Sequence, residues 1–198
     1  SCYLHRYNSD FSIDQTFKND LEFNASTSAV AVSNNGIYVS GAFTSVGDVA
    51  KNSLVKLNFD GNIDTTFDVG QGSNGSGFSM TLLDDGKLLI GGNFFNMKDN
   101  VTSTSLIRLN SDGTFDSSFS CPYYSHASSA VGLKNSNVYI ASSILGNGGM
   151  TSGNFLIRLK PDGTLDESFS AVKLNDELAN NFTFNFIGEK IVYNSADY

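Results

Sequence analysis

Four pairs of aspartates stand at one spacing: Asp10 with Asp14, Asp60 with Asp64, Asp112 with Asp116, and Asp162 with Asp166. Carboxylates in a short loop can wrap calcium, and Asp60, Asn62 and Asp64 offer oxygens at alternate positions. An EF-hand loop also needs glycine at its sixth position and a distal bidentate glutamate, and neither is supplied. The alternative use is local. The first Asp caps its own hairpin turn through side-chain to backbone hydrogen bonds, and the second ends the loop that follows. The residues favour this second use, so no metal and no cofactor are expected, and Asp116→Asn should cost far less than loss of a core residue. A sialidase-type Asp box reads Asp-x-Gly-x-Thr before an aromatic. The order here is Asp-Gly-Thr-x-Asp, which does not match.

The remaining reactive groups are sparse. His5 and His126 are the only histidines, and neither recurs at a matched position or has evident triad or metal partners. Glu22, Glu167, Glu177 and Glu189 are scattered, so only the fold could assemble a glycosidase pair. The stretch GQGSNGSG, Gly70 to Gly77, lacks the Lys-Ser/Thr ending of a phosphate loop and leads into a strand, so it reads as a loop. Cys2 and Cys121 read as unpaired thiols, since a disulfide would have to join two non-equivalent positions over a hundred residues apart. Glycosylation sequons at Asn24, Asn74, Asn100 and Asn181 are what chance gives in a chain this rich in Asn, Ser and Thr. No catalytic residue is expected.

The elements that carry the aspartates recur. LHRYNSDFSIDQTF (Leu4 to Phe17), LVKLNFDGNIDTTF (Leu54 to Phe67), LIRLNSDGTFDSSF (Leu106 to Phe119) and LIRLKPDGTLDESF (Leu156 to Phe169) align without a gap, at intervals of 50, 52 and 50 residues. Between them a second segment recurs four times, ending at Phe43, Phe94, Ile144 and Ala196. Both read as hairpins. Leu106 to Asn110 alternates with period two, Ser111 to Thr114 supplies a turn, and Phe115 to Phe119 is expected to begin the return strand. Met80 to Leu83 and Lys87 to Ile90 flank Asp84-Asp85-Gly86, residues that tolerate a tight hairpin. Two hairpins give four strands per period, and the only candidate helical turn is Asn175 to Asn180.

These features predict an all-β fold: a single β-propeller domain over residues 1–198, with four blades of four antiparallel strands. The chain opens in the second hairpin of one repeat and closes in the first hairpin of another. A composite blade from both termini is therefore expected, with Phe182 to Phe186 and Lys190 to Tyr193 inside and Tyr3 to Asn8 and Ile13 to Phe17 outside. Phe17, Phe67, Phe119 and Phe169 should pack between blades, and Phe67→Ala or Phe119→Ala should cost about 3–5 kcal/mol. The small residues Ser40-Gly41, Gly91-Gly92 and Ser142-Ser143 should allow close backbone approach.

Composition narrows the partners. Hydrophobic residues make up 40% of the 198 and charged residues only 16%, with a net charge of −8. No apolar run approaches the ~18 residues of a spanning helix, so membrane insertion is not expected. The acidic balance argues against nucleic acid, which requires clustered Lys and Arg. The chain has no initiator Met, which predicts that Ser1 follows a processing point or an upstream segment.

The recurring R-L-N-x-D-G-T-x-D-x-S-F of Leu106 to Phe119, nearly repeated in Leu156 to Phe169, and the D-G-K-L-L-I-G-G-N-F of Asp85 to Phe94 resemble the delta-sixty repeat family of β-propeller proteins of uncharacterised function. The resemblance covers nearly the whole chain. It departs at Asp10-Phe11, which replaces Asp-Gly, at Lys160, which replaces Asn, and at Gly188-Glu189-Lys190, which replaces Asp-Gly-Lys. It implies a bacterial surface or secreted protein or a phage tail-associated one, hence an extracellular or virion-surface location, and carries no catalytic residues to transfer.

Regular repeats leave recognition to the loops that differ between copies. Among these, Cys121-Pro122-Tyr123-Tyr124-Ser125-His126 stands out, because Tyr123 and Tyr124 offer flat amphipathic contact area for a protein or a sugar. The expected function is a non-catalytic structural or recognition module that binds a protein partner in a larger assembly or a surface glycan. The rival is a carbohydrate-active enzyme or lectin with a site at the propeller funnel.

Overall fold

The computed structural model describes residues 2–70, 72, 79–91, 106–121, 130–134, 137–144, 153–174, 183–187 and 190–194. Among them there is no helix. Sixteen strands follow in order: β1 Cys2–Tyr3, β2 Glu22–Phe23, β3 Thr27–Ser33, β4 Gly36–Gly41, β5 Ser45–Val46, β6 Val49–Ala50, β7 Leu54–Leu57, β8 Ser79–Leu82, β9 Leu88–Gly91, β10 Leu106–Leu109, β11 Ala130–Lys134, β12 Asn137–Ile144, β13 Gly153–Leu159, β14 Val172–Lys173, β15 Thr183–Ile187 and β16 Lys190–Asn194. They form five small sheets, antiparallel in every pair: β1-β2-β5-β6, β3-β4-β7, β8-β9-β10, β11-β12-β13-β14 and β15-β16. The first strands β3, β8, β11 and β15 lie side by side in that order, so the sheets stack face to face along the chain.

Alternation assigns the two faces of each sheet. On β4 and β7, Ile37, Val39, Val55 and Leu57 pack backward on Phe17, Leu21 and Phe23, while Tyr38 and Leu54 pack forward on Leu88, Ile90, Ile107 and Leu109. The next sheet repeats this: Leu89, Leu106 and Phe119 face Val138, Ile140, Ile157 and Leu159. Period two therefore gives each central strand two buried faces, which is why LVKL and LLIG read as nearly continuous apolar runs. The recurring phenylalanines fill these layers as expected, Phe17, Phe67 and Phe119 being at most 5% exposed. Phe169 is only half-buried and meets the edge of Tyr139.

The second hairpin differs from the sequence expectation. Its return arm is a single bridge, Tyr7 to Ile13, Leu57 to Ile63, Leu109 to Phe115 or Leu159 to Leu165. The chain then turns: the Phe119 amide donates to the Asp116 carbonyl and the Phe67 amide to Asp64, an arrangement that holds Asp-x-x-Phe out of an extended strand. The hairpin turn itself starts one residue earlier, with the Gly113 amide bonded to the Asn110 carbonyl. At the N-terminal end, β1 pairs with β2, and β2 pairs with β5, so residues 2–23 share a sheet with the excursion β5-β6. Asn24 reinforces that join, its carboxamide oxygen accepting from the Thr44 and Ser45 amides. The predicted close approach is present at Gly41, where a β-carbon would lie 2.2 Å from the Ser26 carbonyl oxygen. The Asn175 to Asn180 segment lies outside the described residues.

Sheets are also fastened at their turns. The amides of Lys18, Asp68 and Ser120 donate to the carbonyls of Asp60, Asp112 and Asp162, at 2.7, 2.9 and 2.9 Å. Each bond joins the residue after one copy's terminal Phe to the Asp-Gly turn of the next copy. The turn glycines Gly61, Gly113 and Gly163 have φ of +83°, +90° and +89°, and all are buried. A β-carbon there would lie 2.9 Å from the Lys18 nitrogen, 2.7 Å from the Asp68 oxygen or 2.6 Å from the Ser120 oxygen. Glycine is required twice over, for the left-handed backbone and for the space.

Because the aromatic layers are filled once per joint, Phe67→Ala and Phe119→Ala should each cost about 3–5 kcal/mol in denaturant unfolding, and half-buried Phe169→Ala clearly less. Equal costs at all three positions would contradict the layer assignment.

Candidate functional site

The second aspartate of each pair is the hub of a recurring polar cluster. Asp116 Oδ1 accepts from the Ser118 amide at 3.0 Å and the Ser118 hydroxyl at 2.6 Å, and Oδ2 accepts from Arg108 Nε and Lys87 Nζ, both at 2.7 Å. Asp14 repeats this with Thr16 and Arg6, Asp64 with Thr66 and Lys56, and Asp166 with Ser168 and Arg158. The guanidinium lies over the terminal phenylalanine: Arg6 over Phe17 at 5.0 Å, Arg108 over Phe119 at 4.9 Å, Arg158 over Phe169 at 5.3 Å. Lys56 instead covers Tyr38 at 5.7 Å. Cation, carboxylate and ring thus form one unit, in which the carboxylate positions the cation and the cation covers the ring. Arg108 also donates to the Pro161 carbonyl and Arg6 to that of Phe59, tying these two units to the turns that follow them.

The first aspartates do what the turn reading predicts at three of four sites. Asp10, Asp112 and Asp162 accept from the amide and hydroxyl of Ser12, Thr114 and Thr164. At the remaining site Asn58 Oδ1 takes over, accepting from the amides of Asp60 and Asn62, because the hydroxyl partner is replaced by Asn62.

Electrostatics follows this geometry. For Asp116, burial would raise the pKa, but hydrogen bonds from Lys87, Ser118 and Arg108 overcome it and hold the carboxyl well below the usual carboxylate range. Asp64 is lowered in the same way, its burial outweighed by Thr66 and Lys56. Asp14 and Asp166 are lowered first by Thr16 and Ser168. Tyr38 is pushed up by burial and then by the Asp64 carboxylate.

Carboxylates so engaged are spent on the scaffold. Among the described residues no group of three or more His, Cys, Asp or Glu side chains is placed to hold a metal. Asp116 is also not the cheap position expected of a plain turn cap, because it is 7% exposed and faces two cations. The partners that sequence reading missed, Arg6, Lys56, Arg108 and Arg158, were visible as a basic residue at the third position of every copy.

Other candidates do not converge. His5 is exposed and stacks beside Tyr3. Neither cysteine is in a disulfide: Cys121 is buried with Phe119 and Ile140, whereas Cys2 packs in the first layer with its thiol 3.6 Å from the Thr27 hydroxyl. Tyr123, Tyr124 and His126 lie outside the described residues, as do the sequons at Asn74, Asn100 and Asn181.

A family profile described as a beta-propeller domain of unknown function, DUF5122, matches residues 33–67, 83–119 and 138–169, just over half of the chain. No curated protein and no solved structure matches it. The matched spans run from the first hairpin to the terminal Phe of the second, third and fourth copies, and they carry three of the four polar clusters.

The depressed carboxyls predict acid sensitivity. A carboxylate with a lowered folded pKa contributes stability that is complete above its ordinary value of about 3.9 and is lost as pH falls toward the folded value. Asp116→Asn should cost about 3 kcal/mol at pH 7, by leaving Arg108 and Lys87 without their acceptor, and should flatten the acid limb of the stability curve. Denaturant melts from pH 7 to pH 2 check this. An unchanged acid limb would remove Asp116 from the account.

Proposed function

This chain belongs to the DUF5122 beta-propeller family, and from that premise we propose that it is a non-catalytic structural or recognition module. The observation that carries the reading is the use of the recurrent polar groups. Every second aspartate is held by a cation and a hydroxyl from its own repeat, which leaves those carboxylates as struts. Specificity then falls to the segments that differ between copies. Tyr123 and Tyr124 are the densest aromatic group in those segments, and the proposed ligand is a protein partner in a larger assembly or a surface glycan. Similarity of the repeat motif to the delta-sixty family supports an extracellular or virion-surface setting, on a phage tail or a bacterial surface.

The proposed architecture is a ring of four blades closed by a composite blade. Two observations support it. Among the described residues, 2–23 provide an outer arm without an inner hairpin, and β15-β16 is an inner hairpin without an outer arm. Val30 and Val32 on β3 are 50% and 63% exposed, on the face where Met80 and Leu82 of the next sheet are covered by a neighbour. An inner hairpin before β3 would cover them.

A glycan array and a hydrolysis assay on the wild type, together with attachment to proteins of the native assembly, test the functional reading. Binding without turnover is expected, weakened about tenfold or more in the Tyr123→Ala, Tyr124→Ala double variant with its melting curve intact. Glycan cleavage by the wild type would favour the enzyme reading instead. Unchanged attachment would remove this loop from the site.

A further inference from the structure

Three copies of the turn joint are filled, and the ring would require a fourth. In it the Ser170 amide, after Phe169, would donate to the Asp10 carbonyl, and residue 11 would take the glycine's place. That residue is Phe11, with φ of +66°, the left-handed conformation its three glycine counterparts share. Its turn is otherwise built like the others, with the Phe11 amide on the Asn8 carbonyl and the Asn8 amide on that of Ser12. The backbone is therefore ready to dock and the β-carbon forbids it. In the filled joints that atom would sit 2.6–2.9 Å from backbone of the preceding copy, closer than real contacts allow.

The surroundings agree. Phe11 is 86% exposed, whereas Gly61, Gly113 and Gly163 are buried. Tyr7 is 56% exposed, although its counterparts Leu57, Leu109 and Leu159 are at most 1% exposed, and Ile13 is 42% exposed where Ile63, Phe115 and Leu165 are half-buried. No bond from the Ser170 amide to the Asp10 carbonyl is made. Arg158, whose counterparts Arg6 and Arg108 reach the next turn, hydrogen-bonds Tyr139.

We infer that Phe11 makes the seam between the fourth and first copies an unlatched joint, so that the ring closes through its inner strands and opens at this one place. The inference rests on the closed-ring reading. Three joints hold through an N–H to carbonyl bond and a close-fitting glycine, and in the closed ring the seam would be left with strand pairing alone. The seam is the low-energy opening of the ring, and its outer rim keeps Tyr7, Phe11 and Ile13 accessible.

Hydrogen exchange on the full chain tests it, comparing wild type with Phe11→Gly and Phe11→Asn. Asparagine tolerates the left-handed backbone but keeps the β-carbon, so it separates relief of strain from relief of the clash. In the wild type the Ser170 amide should exchange fast while those of Lys18, Asp68 and Ser120 are protected. Phe11→Gly should slow Ser170 about tenfold or more and raise Tm by about 2–4 °C, and Phe11→Asn should leave Ser170 fast. Wild-type protection of Ser170 equal to that of Ser120 would overturn the unlatched joint. So would a fast Ser170 in Phe11→Gly with protection of the β16 amides that would face residues 4–7 in the composite blade, which keeps the ring and removes the latch. Fast exchange of those β16 amides in all three proteins would remove the ring, and the seam with it.

Discussion

The absence of a β-carbon at Gly61, Gly113 and Gly163 is the constraint on which the stacking depends. Each repeat sits on the one before it through a turn whose glycine is pressed against backbone, and any side chain there would force the two apart. The hydrogen bond at that point is a single N–H to carbonyl contact, worth about 1 kcal/mol by itself. Its larger effect is on registration, because it fixes where the next hairpin begins and so which face of β4, β9 and β12 meets which layer. The filling of the aromatic layers at Phe17, Phe67 and Phe119 follows from that placement. Arg108 reaches the Pro161 carbonyl because the turn carrying Pro161 is docked beside it, whereas Arg158 lies over Phe169 without such a turn.

A scaffold built this way is stiff in its repeating parts and indifferent in its connections. Seven of the eight paired aspartates are divided between struts and turn caps, uses internal to the scaffold. This explains how a family profile can follow the repeats closely without indicating an activity. The matched segments carry the fold, and the proposed function assigns the partner to the segments between them.

Much of the fold was legible in the sequence because the repeats hold their spacing. The strands Leu54–Leu57 and Leu106–Leu109, the turn at Asp84 to Gly86 and the packing of Phe17, Phe67 and Phe119 follow from period two, turn chemistry and recurrence. The return arm from Phe115 to Phe119 was misread as a strand. Alternation resembled one, but the Asp116 side chain captures the Ser118 amide and folds the segment into a turn, a competition that apolar patterning does not register. The Asp60 site was misassigned for a related reason, since Asn58 and Asp60 are both able to cap and only the residue at 62 decides between them. The cations were overlooked because the aspartates were weighed against metals, not against the basic residue eight positions earlier. Phe11 was seen only as a departure from a motif. The role proposed for it comes from comparison with the three filled joints, whose partners are distant in sequence.

The central claim is tested most directly by two alanine substitutions in turns of one geometry. Gly113 and Gly86 have φ of +90° and +82°, and each closes a turn with the same pair of backbone bonds. Gly113 is pressed against Asp68, whereas a β-carbon at Gly86 would meet nothing within 4 Å. Strain from the left-handed backbone is common to both variants and cancels in their difference. The account predicts that Gly113→Ala loses about 1–3 kcal/mol more than Gly86→Ala in denaturant unfolding. Equal losses would mean that the turns do not hold the repeats together.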